Sequence, residues 1–243
     1  MKTLQANIDE SLFSNDRIDP QKISDKIRLK EIQESCTIRG NVELRVENDE
    51  LYIKCLAGQF DTIDIDICEK NDLFPLNIRK IEGKCHGFYL TLRDCNITSL
   101  KDVFSKDFEN KLQANKTEGI CLSLYRCNNL KSYEGCPQKV GGFFSQHCQN
   151  ASLKDIPQYI ERRLYILDTK LFGPNASNAL DIDIRSYRGE EQIRYDINKR
   201  NREKFQALLD IYHHLDPKCG VAKYIRKTIE ECNIDPNKKT VTF

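Results

Sequence analysis

The sequence predicts an α+β fold in which an irregular β-solenoid fills the middle of the chain and helical elements cap its two ends. Three observations predict it: an apolar–cysteine pattern recurring between residues 63 and 169, a serine-led element recurring in phase with it, and helical periodicity confined to the flanks. The expected division is an arm and short helix over 1–35, a solenoid with a hairpin cap over 36–186, and a helical region over 187–243.

The first nineteen residues are polar and read as an arm. Asp19-Pro20 then starts a helix, with Asp as the cap and Pro at the first helical position; Ile23 and Ile27 give it a short apolar stripe up to about Glu34. Val42, Leu44, Val46 and Leu51, Ile53, Cys55 alternate at period two around Glu47-Asn48-Asp49-Glu50, which predicts a hairpin covering the first coil.

The repeat follows. Leu90, Leu92, Cys95, Asn96 and Leu122, Leu124, Cys127, Asn128 are its clearest copies; Ile63, Ile65, Cys68, then Phe143, Ser145, Cys148, then Leu164, Ile166, Thr169 are degraded ones. The alternating apolar pair is a short strand with one face inward, and cysteine is a small apolar residue where the chain bends. The second element is Ser99-Leu100, Ser132-Tyr133 and Ser152-Leu153, whose large apolar residue closes the core from the other side. Such a coil cannot bury its own inward face, so neighbouring coils must stack. Cys127 to Cys148 to Thr169 steps by 21 residues, whereas Cys95 to Cys127 takes 32; the excess falls in 106–119, a polar stretch expected as an inserted contact loop. Gly141-Gly142 reads as a repeat turn, without the spacing or lysine of a phosphate loop.

The run Cys127-Asn128-Asn129-Leu130-Lys131-Ser132-Tyr133-Glu134-Gly135-Cys136-Pro137-Gln138-Lys139-Val140-Gly141-Gly142-Phe143, with its neighbour through Leu164, resembles the degenerate leucine-rich-repeat-like proteins of tailed phages and gut bacteria, an uncharacterised set. Their pattern is Asn-x-Leu-x-Ser-Leu-x-Gly-x-Pro-x-x-Val-Gly-Gly, and the resemblance covers roughly the middle half of the chain. Glu10-Ser11-Leu12-Phe13 is similar to a start seen in that phage-linked set. Ser145 and Thr169 depart from the pattern, and Arg162-Arg163 stands where it has Gly-Gly. The resemblance implies an irregular leucine-rich-repeat-like β-solenoid and a phage or mobile-element setting. It brings no catalytic residue with it.

Beyond the repeat, Leu180, Ile182 and Ile184 suggest a last strand. Phe205, Leu208, Leu209, Tyr212 and Leu215 then follow helical spacing, Asp216-Pro217 breaks it, and Val221, Ile225 and Ile229 resume it, predicting a C-terminal helical hairpin that covers the open end of the stack or docks a partner.

Thirty-eight basic residues against 37 acidic ones leave no global field favouring nucleic acid or an acidic membrane. No apolar run is long enough to cross a bilayer and no secretory pattern opens the sequence, so the expected location is the cytoplasm: that of the host, or the virion if the chain is phage-encoded. Eleven cysteines then read as reduced and buried.

Cys121, Cys127, Cys136, His147 and Cys148 raise a zinc site, but no Cys-x-x-Cys pair occurs and Cys127 and Cys148 hold equivalent inward positions, so no metal and no cofactor is expected. His213 and His214, near Cys219, point about 100° apart on a helix and read as surface residues. Asp64 and Asp66 lie on one outward strand face about 7 Å apart, as do Asp181 and Asp183, the geometry a hydrolase would need; a polar strand face is the plainer reading. Lys199, Arg200, Arg202, Lys223, Tyr224, Arg226 and Lys227 are the candidate nucleic-acid contacts, with Glu203, Glu230 and Glu231 among them. Asp64, Asp66, Arg93 and Tyr125 are the candidate partner surface. The function expected is a non-enzymatic protein-binding or assembly module, with nucleic-acid binding and hydrolysis as alternatives; the partner is another protein or a second copy, and no membrane is involved.

Overall fold

Stacked coils require their strands to pair in parallel, and the five central strands of the long sheet do so. The structure, a computed structural model, describes residues 20–56, 62–68, 78–83, 85–95, 97–105, 119–167, 181–187, 190–194 and 202–241. The expected arm over 1–19, the inserted loop apart from Gly119, and Lys199 and Arg200 lie outside the described residues. In chain order the elements are α1 (Pro20–Ser35), β1 (Cys36–Arg39), β2 (Val42–Glu47), β3 (Glu50–Cys55), β4 (Thr62–Cys68), β5 (Ile78–Gly83), β6 (Gly87–Arg93), β7 (Gly119–Tyr125), β8 (Lys139–Gln146), β9 (Tyr159–Leu167), β10 (Asp181–Tyr187), β11 (Glu190–Arg194), α2 (Arg202–His214) and α3 (Gly220–Glu231). The fold is α+β, a β-solenoid of about three turns with helices flanking its sheets.

One sheet has eight strands in the order β1-β4-β6-β7-β8-β9-β10-β11, the other three in the order β2-β3-β5. Strands β4, β6, β7, β8 and β9 run parallel, and β1, β10 and β11 add antiparallel edges. The opposite wall continues from β3 and β5 through the parallel bridges Ile81–Phe104 and Ser132–Ser152. Between the walls sit Ile65, Leu90, Leu92, Leu122, Leu124, Phe143, Leu164 and Ile166 from one side and Leu100, Tyr133 and Leu153 from the other, all fully buried.

The bend beside the long sheet is built by a cysteine ladder. The Cys95, Cys127 and Cys148 thiols reach back to the Ile67, Leu92 and Leu124 carbonyls of the preceding coil at 3.5, 3.5 and 3.6 Å. These carbonyls are in register, so each cysteine ties its bend to the coil before it. In all three copies the residue before the cysteine, Arg126, His147 or Asp94, is left-handed (φ 53°, 55° and 53°). Their amides donate forward to the Gln146, Leu167 and Tyr125 carbonyls respectively, so every coil bonds to both neighbours.

Several expectations are corrected. Register pairs Ile65 with Leu90 and Ile67 with Leu92, so the first copy is shifted by two and Cys68 lies opposite Arg93, not opposite Cys95. Gly141 and Gly142 lie inside β8 rather than in a turn. Ile23 and Ile27 are exposed at 46% and 56%, while Ile32 enters the core. The reason is an anchor: Asp25 accepts from the Asn48 and Asp49 amides at the tip of the β2–β3 hairpin (3.0 and 2.9 Å), which turns the Ile32 side of α1 inward. The hairpin is also more than a cap, because β3 pairs with β5 and starts the second wall. The sheet runs past the expected boundary at 186, through β11.

At the far end α3 lays Val221, Ala222, Ile225 and Ile229 against β9 and β10, covering inward residues that no further coil would bury. Glu161 accepts from the Gly220 amide at 3.3 Å and so caps α3 from β9. No described helix is long and apolar enough to cross a membrane.

Candidate functional site

Alternation along the parallel strands aims every second side chain away from the core, and register lines these up across the long sheet. One outward row runs Arg39, Asp64, Tyr89, Cys121, Gly142, Arg163, Arg185. The next runs Thr37, Asp66, Thr91, Ser123, Phe144, Tyr165, Asp183, and a third contains Arg93, Tyr125 and Gln146. Tyr89, Tyr125, Phe144 and Tyr165 are half-buried on this face. The buried residues of α1 and α3 belong to the same core cluster as the inward residues of the sheet.

All four members of the expected partner surface are on this face. Arg93 forks onto Asp66 at 3.1 and 2.8 Å, and Arg39 approaches Asp64 at 3.9 Å. Tyr125 is in register with Arg93, with the Arg126 guanidinium 4.6 Å from its ring and His147 edge-on at 5.7 Å. Arg126 in turn pairs with Asp94 at 2.6 Å, one coil back.

At the other end of the face the sequence offered Asp183 as an outward carboxylate, but not its two arginine partners. Asp183, 6% exposed, accepts from Arg163 at 2.8 and 2.9 Å and from Arg185 at 3.0 and 2.8 Å. Burial pushes its carboxyl up, but the two arginines outweigh that and hold it below the ordinary carboxylate range. Phe144 and Tyr165 flank the Arg163 guanidinium at 5.1 and 5.6 Å. Arg162 reaches past Gly142 to the Cys121 thiol at 3.6 Å and also bonds Tyr89. Burial pushes the Cys121 thiol up, against the pull of Arg162. The sequence did carry a signal: Arg162-Arg163 stands where the repeat has Gly-Gly, and the structure sets Arg163 beside Gly142.

The remaining candidates are dispersed. Cys127 and Cys148 point into the core, Cys121 points out, and among the described residues no group of three His, Cys, Asp or Glu side chains is placed to hold a metal ion. His213 bonds the Lys238 carbonyl and His214 the Ile156 carbonyl, at 2.9 and 3.0 Å. Asp64, Asp66 and Asp183 each face an arginine, and Asp183 is held ionised, the opposite of what a general acid needs. Asp181 opens β10. On α3, Lys223, Arg226 and Lys227 are exposed opposite the buried stripe, Tyr224 is half-buried, and Arg226 pairs with Glu230 at 2.8 Å. Arg202 is the first residue of α2.

No protein-family model, curated protein or solved structure matches this chain.

Proposed function

We propose that the chain is a non-enzymatic module that binds another protein through the outward face of its eight-stranded sheet. The observation that carries this reading is the make-up of that face: four half-buried aromatic rings set among arginines already oriented by aspartates. Aromatic residues and arginine are the side chains enriched in interface centres, because they bring large contact area with little rotamer freedom to lose. Under the phage setting that the family resemblance implies, the partner is a virion or assembly protein, or a host protein that the module blocks. A photo-crosslinking residue at Ser123, at the centre of the face, should capture one dominant protein in lysate of the natural host. The same residue at Lys80, exposed on the other sheet, should not. Equal capture from both positions overturns the reading; capture of a second copy converts it to self-assembly.

A second reading rests on Lys223, Arg226 and Lys227 sharing the exposed side of α3. A salt-sensitive mobility shift with short DNA or RNA, abolished by Lys223→Ala with Lys227→Ala, would favour nucleic-acid binding instead.

A further inference from the structure

We propose that Cys55 and Cys85 form a redox-sensitive staple: hydrogen peroxide oxidises the pair to a disulfide that ties the end of β3 to the bend between β5 and β6. The inference does not depend on the protein-binding reading of the long sheet.

Parallel pairing sets Cys55, the last residue of β3, opposite Gly83, the last residue of β5. The two backbones meet so closely that a Cβ on Gly83 would lie 2.1 Å from the Cys55 carbonyl oxygen. Only glycine, left-handed here at φ 114°, lets the chain turn at that point. Cys85, two residues on, comes back against Cys55, and the Cys55 thiol donates a hydrogen bond to the Cys85 sulfur. Sulfurs already in hydrogen-bonding contact need only a local shift to reach the disulfide length of about 2.05 Å.

The same hydrogen bond divides the labour. Donation from Cys55 holds the Cys85 thiol below its ordinary range despite burial, while that bond and burial together push the Cys55 thiol up. Cys85 is therefore the thiolate that attacks and Cys55 the thiol that resolves. The Cys85 sulfur breaks the O–O bond of the peroxide, becoming a sulfenic acid and releasing hydroxide, which takes up the proton Cys85 lost on ionising. The Cys55 sulfur then attacks the sulfenic sulfur and its proton leaves with the departing oxygen as water. Two thiols and one hydrogen peroxide thus yield one disulfide and two waters; the sulfurs give up the two electrons that the peroxide accepts.

The ladder cysteines also stack across coils, but they are poorer targets. Cys95, Cys127 and Cys148 are 1%, 0% and 0% exposed, and each thiol is engaged with a carbonyl of the preceding coil. Cys85 is 6% exposed at a bend beside half-buried His86, and Cys55 is followed by exposed Leu56. Oxidation follows thiolate character and access, and both favour Cys85. The bond would close a loop containing β4 and β5, one strand from each wall, and so restrict the unfolded chain.

The test treats the reduced full chain with hydrogen peroxide at neutral pH, blocks the remaining thiols with N-ethylmaleimide, and maps non-reduced tryptic peptides by tandem mass spectrometry. Fragment spectra separate Cys55 from Cys68, which trypsin leaves on one peptide. A Cys55–Cys85 link is expected, forming about tenfold faster than any link within the ladder. It should raise the thermal midpoint by about 5 °C or more, a rise reversed by dithiothreitol and missing from peroxide-treated Cys85→Ser. The map is made on a chain with both thiols intact, so it decides even if the serine variant fails to fold. No such link, or earlier appearance of a Cys95–Cys127 or Cys127–Cys148 link, overturns the proposal. So does a link whose reduction leaves the midpoint unchanged, because the bond would then staple nothing.

Discussion

The hydroxyls of Tyr133 and Ser145 are hydrogen-bonded to each other inside the solenoid, both residues fully buried. Each is a departure from the repeat: Tyr133 stands where other coils have Leu100 and Leu153, and Ser145 where they have Leu124 and Ile166. A tyrosine on the second wall carries a hydroxyl into the core, and a serine on the first wall answers it. The Tyr133 ring also packs edge-on against Phe143 at 5.2 Å.

Removing one hydroxyl should therefore cost more than half of removing both. Tyr133→Phe and Ser145→Ala are each expected to destabilise by about 1–2 kcal/mol, with the double variant less destabilised than their sum. Urea unfolding of the four proteins measures the coupling. Strict additivity would mean the pair contributes nothing of its own.

Cys127→Asp should be severe, by about 3 kcal/mol or more, because it places an unpaired carboxylate where a fully buried thiol meets the Leu92 carbonyl. Thermal melting against the parent decides; an unchanged midpoint would put Cys127 on the surface.

Gly135 is left-handed at φ 91°, and a Cβ there would overlap the Leu100 carbonyl of the preceding coil. Gly135→Ala is expected to cost about 2 kcal/mol or more in urea unfolding, whereas Lys131→Ala, exposed on the same coil, should change stability by less than about 0.5 kcal/mol.

The depressed Asp183 carboxyl makes a signed pH prediction. Its contribution is fully present above the unfolded-state value near 3.8 and is lost as pH falls through the lower folded-state value. Asp183→Asn should thus lower stability at neutral pH and flatten the loss below about pH 4. Urea midpoints measured through the acid range for both proteins test this. Parallel acid profiles would show that the arginines do not hold the carboxylate ionised.

Eight of the eleven cysteines are buried, and Cys36, Cys68 and Cys232 are half-buried. Burial and the Asp66 charge push the Cys36 thiol up to about 12, so at neutral pH a thiol reagent should label Cys68 and Cys232 first. All eleven should react after unfolding. Rapid labelling of Cys127 or Cys148 in the folded protein would contradict the closed ladder.

The repeat was legible because inward positions of a stacked coil have few options: Leu90, Leu92 and Cys95 must be apolar, and they recur. The helices were legible for the same reason, through Phe205, Leu208 and Leu209, then Val221, Ile225 and Ile229. Strand β5 was not, because the register slips where Leu51 meets Ile78 and Tyr52 meets Lys80. Its buried residues, Ile78 and Ile81, therefore fall three apart and break the period of two. Strand β1 is four residues long and takes its identity from pairing with β4.

By itself, then, the sequence determined which residues face the core of this solenoid, that coils must stack, and that helices close its far end. Tertiary structure alone decided the inter-coil register that moves Cys68 away from Cys95, and the irregularity that brings Arg162 and Arg163 to one face. It also decided the pairing of both Arg163 and Arg185 with Asp183. The difference is physical. Burial leaves a local, periodic mark on the chain, whereas register and the approach of Arg163 to Asp183 or of Arg162 to Cys121 depend on contacts between residues twenty or more positions apart, which no local period records.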